Sequence, residues 1–186
     1  SLLRAREAKM LTREKAERML DAATYEEAAK MLTDCGYKDF SELSAKDVEQ
    51  ALNDRRAAEF AEMAAIAPNK KLVDVFRMKY DYHNAKTLIK SEAEGIDRFD
   101  LMSSSGRITV DELTAAFRED KYLGIPTVLA DAMMEAKATL ARTGNPQLSD
   151  FILDRAYFEE LFRDAEELQS NFLNGYAETM IDSATL

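Results

Sequence analysis

The chain has 186 residues, 46% apolar and 32% charged, a balance that fits a folded core and excludes a disordered polymer. Its net charge of −10 argues against a nucleic-acid partner, which requires a basic surface, and against general adhesion to anionic lipid. No run approaches the ~20 apolar residues that cross a bilayer. The lone Cys35 leaves no disulfide framework, so a reducing, intracellular compartment is the simpler expectation.

In chain order, Leu2 to Leu20 is expected to form one charged helix with Leu3, Met10, Leu11, Met19 and Leu20 as its apolar positions. Thr24 with Glu27 has the spacing of a capping box. The helix it opens should bury Ala28, Met31 and Leu32 and stop at Gly36, where a left-handed residue is easily accepted. Ser44 with Asp47 starts a long helix carrying Val48, Leu52, Phe60 and Met63. Pro68 should end it and take the first position of the next helix, which runs to about Glu94 and stops at Gly95.

Ile96 to Arg107 is expected to be a loop, with Ser103-Ser104-Ser105-Gly106 as a mobile tail. Thr109 and Glu112 repeat the capping-box spacing before Leu113, Ala116 and Phe117. Pro126 opens a helix through Val128, Leu129, Met133 and Leu140 that ends at Gly144. After Asn145-Pro146, one or two helices carry Phe151, Tyr157, Phe158, Leu161 and Phe162, and a last helix holds Phe172 to Leu186. No alternation of period two appears, so the expected fold class is all-α.

The helix before Gly95 has two apolar stripes at 3.6-residue spacing: Val75, Met78, Tyr82, Ala85 and Ile89, and Leu72, Phe76, Tyr80, His83 and Thr87. Between them run Lys79, Lys86 and Lys90, and on the far side lie Asp74, Arg77, Asp81 and Asn84. A helix with two apolar faces packs on two sides, as an inner helix of a stacked array does.

A recurrence supports that view. Asn84-Ala85-Lys86-Thr87-Leu88 lines up with Asp182-Ser183-Ala184-Thr185-Leu186, and Val75, Met78, Tyr82 and Ala85 fall on Leu173, Tyr176, Met180 and Ser183 at the same offset. Asp54-Arg55 against Asp154-Arg155 is a weaker echo. The expected organisation is therefore two tandem helical repeats of about 100 residues, 1–100 and 101–186, the second incomplete and part of a longer repeat protein.

Reactive chemistry is sparse. His83 is the only histidine, which leaves no paired-His metal site, and its position on an apolar stripe reads as a packed, hydrogen-bonded imidazole. Cys35 precedes Gly36 at a helix end, where the dipole disfavours a thiolate. Arg77 and Asp81 are four apart, as in a surface ion pair. Leu101 to Glu112 imitates a calcium loop with Ser103, Ser105, Gly106 and Glu112 in phase, but its first position is Leu101, which offers no side-chain oxygen. No catalytic residues, cofactor or metal site are expected.

The run Tyr80-Asp81-Tyr82-His83-Asn84-Ala85-Lys86, with Leu72, Val75 and Leu88 around it, resembles the block that marks the C subunit of the archaeal and bacterial A/V-type rotary ATPases, the counterpart of the eukaryotic V-ATPase d subunit. Arg4 to Gly36, Gly106-Arg107-Ile108 and Asp154-Arg155-Ala156-Tyr157-Phe158 are similar to other parts of that family. The resemblance implies three helical repeats around a pseudo-threefold funnel, of which this chain would hold the first and most of the second. It implies a non-catalytic socket between central-shaft subunits and the membrane proteolipid ring, peripheral on the cytoplasmic face. Tyr80, Asp81, His83, Asn84 and Lys86 carry the motif and are expected to serve helix packing. A generic helical-repeat adaptor is the alternative.

Overall fold

The computed structural model describes residues 2–185, so Leu186, the last residue of the recurring block, lies outside the described residues. Among these residues the fold is all-α, with helices α1 (Leu2–Glu7), α2 (Arg13–Leu20), α3 (Tyr25–Thr33), α4 (Ala45–Ile66), α5 (Lys71–Glu94), α6 (Val110–Glu119), α7 (Thr127–Thr143), α8 (Pro146–Glu167) and α9 (Asn171–Thr185), and a 3-10 turn at Phe99–Leu101. The single opening helix expected from the sequence is two helices. Helix α1 stops at Glu7, and Thr12 caps the start of α2, its hydroxyl accepting the Lys15 N–H at 3.3 Å. A second difference lies at Pro68, which precedes α5 by three residues; Asn69 Oδ1 instead accepts the first helical N–H, that of Lys71, at 3.0 Å.

Other signals act as their chemistry dictates. Thr109 and Glu112 close a full capping box, the hydroxyl accepting the Glu112 N–H at 3.2 Å and the carboxylate accepting the Thr109 N–H at 3.1 Å. At α3 the box is only half made: Thr24 accepts the Glu27 N–H, while the Glu27 carboxylate reaches the Ala23 N–H. Gly95 and Gly144 terminate α5 and α7 in the left-handed conformation.

Packing divides the chain into two compact units, Ser1–Arg56 and Ala57–Leu186. In the first unit α2 packs on α3. Buried there are Ala29, Cys35 and Phe40, whereas Ala28, Met31 and Leu32 are only half-buried. Tyr25 Oη donates to the Phe40 carbonyl at 2.9 Å, and the Tyr37 ring meets that of Phe40 edge-on. Helix α4 spans the division and buries no residue fully.

The second unit holds a continuous core. The two-residue connection Gly144-Asn145 folds α8 back along α7, and α8 also packs on α5 and α9. Val75, Met78 and Ala85 of α5 meet Leu113 of α6, Leu129 and Met133 of α7, Leu153 and Leu161 of α8, and Leu173 and Ala177 of α9. Each is fully or nearly fully buried, and each large side chain contributes about 1.5–3 kcal/mol through the apolar surface removed from water.

Candidate functional site

The polar residues of α5 are not a solvated face. Asp81 and Asn84 are completely buried beneath the segment 101–108, which lies along that side of the helix. Asn84 Nδ2 donates to the Ser103 carbonyl at 2.9 Å while its Oδ1 accepts the Ser103 N–H at 2.8 Å. One side-chain amide thus satisfies both backbone groups of one residue. Arg77 adds hydrogen bonds to the carbonyls of Ser105 and Gly106. The serine-rich tail expected to be mobile is therefore pinned, with Ser103 and Ser105 buried.

Asp81 does not pair with Arg77. Its Oδ2 accepts Arg107 Nε at 2.6 Å and its Oδ1 accepts the Ile108 N–H at 3.2 Å. The other edge of the Arg107 guanidinium meets Glu160 of α8, Nη1 to Oε1 at 2.9 Å and Nη2 to Oε2 at 3.3 Å. Tyr82 Oη donates to the same Glu160 carboxylate at 2.8 Å. Asp81 and Glu160 are both shielded from water, so one guanidinium compensates two buried carboxylates, with half-exposed Arg163 a further 3.6 Å from Glu160. From there the chain of charges continues to Asp164 through Arg163 at 3.0 Å and Lys71 at 3.3 Å.

The electrostatics follow from burial and pairing. Burial pushes the Asp81 carboxyl above its ordinary value, against the pull of Arg107 and the Ile108 N–H. Burial alone would lower Arg107, but Glu160 and Asp81 hold it above its ordinary value. Burial and then the Glu160 carboxylate raise the Tyr82 phenol, so it stays a neutral donor. Gly106 completes the arrangement. A Cβ there would overlap Asp81 Oδ1 and come within 3.2 Å of the Ile108 carbonyl oxygen, so the close approach of segment and helix requires glycine.

The remaining motif residues lie on other sides of α5. Tyr80 is half-buried, its ring edge-on to that of Phe60 at 6.0 Å. His83 is exposed, not packed in an apolar stripe, and its Nε2 lies 2.8 Å from the Leu101 carbonyl, to which it donates when that nitrogen carries the proton. Lys86 pairs with Asp154 at 2.6 Å, and Lys90 with Asp150 at 2.7 Å, fastening two of the three strip lysines to α8. Sequence reasoning missed Glu160 and Asp164: they sit on a charge-rich helix with no short motif to mark them as buried.

The motif builds a clasp and not a cleft. An open groove of about 540 Å³, lined by Ile89, Lys90, Lys137, Leu140 and Pro146 among others, contains no motif residue. Among the described residues no group of three or more His, Cys, Asp and Glu side chains is placed to hold a metal ion.

Fold and clasp together define an all-helical protein in which a polar helix face binds a downstream stretch of its own backbone. Residues 1–186 match the ATP synthase (C/AC39) subunit family, and the chain belongs to that family. It is similar to the V-type sodium ATPase C subunit of Enterococcus hirae, 26% identical over 168 residues, covering 90% of this chain and 51% of the relative. It is also similar to the A-type ATP synthase C subunit of Methanocaldococcus jannaschii, 26% identical over 204 residues, covering 99% of this chain and 51% of the relative. The chain thus spans about half the length of these curated relatives. No solved structure matches it significantly.

Proposed function

We propose that the chain acts within the C subunit of an A/V-type rotary ATPase as a non-catalytic coupling element, a socket between the central rotor shaft and the membrane proteolipid ring. The observation that carries this reading is the family match over the whole chain, together with two relatives whose names place them in V-type and A-type ATPases. A peripheral position on the cytoplasmic face follows from the same reading. No helix among the described residues is long and apolar enough to cross a membrane.

Helix order supports a tandem repeat. Helices α4 and α8 are each 22 residues long, and each is followed after a short connection by the helix bearing the recurring stripe, α5 or α9. Val75, Met78 and Tyr82 are buried; of their counterparts, Leu173 is buried and Tyr176 and Met180 pack against the same core. A coupling body has to transmit torque without deforming. Close packing and the cross-links from α5 to segment 101–108 and to α8 favour such stiffness.

The test is affinity capture from a membrane extract with the tagged chain as bait. Recovery of shaft subunits and the proteolipid ring is the expected result. Recovery of neither, with the chain folded, would favour the generic adaptor.

A further inference from the structure

Charge is unevenly distributed along the chain. Residues 1–20 carry six Lys and Arg against three Glu, a net of +3, while the other residues carry 19 against 32, a net of −13. The basic stretch is also where apolar side chains stand uncovered: Leu3 is 52% exposed, Met10 63% and Leu20 85%, with Leu11 exposed as well. Helix α1 packs against no other helix among the described residues. The three glutamates are engaged only locally, Glu7 by Arg4 at 2.7 Å, Glu17 by Arg13 at 2.8 Å and Glu14 by Arg18 at 3.6 Å. Exposed pairs of this kind are weak and exchange readily.

Cations interleaved with exposed leucine and methionine suit an interface that is negative at its surface and apolar a few ångströms below. We infer that residues 2–20 form a docking surface for an anionic lipid headgroup layer. The inference rests on the peripheral membrane position proposed above and adds a lipid contact to it. Helix α3, which packs on α2, brings Glu26 and Glu27 close and offsets part of the basic charge, whereas charges farther than the Debye length of about 10 Å are screened at ordinary salt. The segment lies on the bilayer without crossing it.

Flotation of the full chain with lipid vesicles tests this, at low salt and near 0.1 M. The chain should float with phosphatidylcholine vesicles containing about one third phosphatidylserine and stay in solution with phosphatidylcholine alone. Reversing Arg6, Lys9 and Arg13 to Glu together should weaken partitioning at least about tenfold, with helical circular dichroism unchanged. Leu3→Ser with Met10→Ser should weaken it without altering the salt dependence. Equal binding by the charge-reversed chain overturns the inference. So does indifference to both vesicle types at low salt, the result expected if the segment serves an acidic protein surface. The vesicles contain no other ATPase component, so such a failure leaves capture of shaft and ring subunits to be judged on its own.

Discussion

The two units of the chain are held by different means. In the first, the buried apolar side chains among the described residues are Ala29, Cys35 and Phe40, and its helices depend on end caps and exposed ion pairs such as Arg13 with Glu17. In the second, one core runs through α5 to α9, and a buried charge cluster sits at its edge. Caps and surface pairs each contribute about 1 kcal/mol or less, whereas each large core side chain contributes about 1.5–3 kcal/mol. Local signals can therefore specify where helices begin while leaving them weakly anchored; packing decides how long they persist.

The most damaging way to disturb this contrast is to remove Arg107. Arg107→Ala leaves Asp81 and Glu160 buried without their shared cation, and should cost about 3–5 kcal/mol in urea denaturation of the second unit. Amide hydrogen exchange sharpens the comparison directly. Protection in α5 and α8 should exceed that in α2 and α3 by about 2 kcal/mol or more; equal protection would erase the distinction. Gly106→Ala should cost about 1–3 kcal/mol through overlap with Asp81. The penalty should shrink in an Asp81→Ala background, a non-additivity that a double-mutant cycle reads out.

The smallest effect is in pH dependence, and its sign differs between two carboxyls. Thr109, through its hydroxyl and its backbone N–H, holds Glu112 below its ordinary value. Its contribution is therefore present above the ordinary carboxylate range and is lost as pH falls through the folded value. Asp81 is raised, so its contribution is greatest below that range and fades as pH rises through its folded value. Carboxyl NMR titration should show the two displaced in opposite directions. Glu112→Gln should remove the acid-side loss without affecting the other.

Much of the architecture was legible because its causes are local. The all-α class follows from composition and period, and the starts and stops at Thr109, Gly95 and Gly144 depend on residues within a turn of each boundary. Thr12 shows the limit: the apolar series Leu3, Met10, Leu11, Met19 and Leu20 runs on across the interval between α1 and α2, where the Thr12 hydroxyl caps a new helix. The clasp was not legible for a related reason. Asp81 lies four residues from Arg77, and that spacing suggests a pair. Its actual partner is Arg107, whose other edge is taken by Glu160 on a distant helix. No period or short motif reports a contact made across such intervals. The same applies to Ser103 to Gly106, whose composition suggests freedom until Asn84 and Arg77 occupy their backbone groups.

The Asn84 amide reads only main-chain atoms of Ser103, which assigns evolutionary constraint unequally. At position 103 the grip itself is indifferent to the side chain, but the Ser103 hydroxyl accepts the buried Ser105 N–H at 3.2 Å, so the tolerated changes are small side chains that keep an acceptor. Position 84 has no such latitude: aspartate lacks the donor, and glutamine is a methylene too long. Across related chains, position 103 should vary only among small residues with an acceptor, and position 84 should not vary.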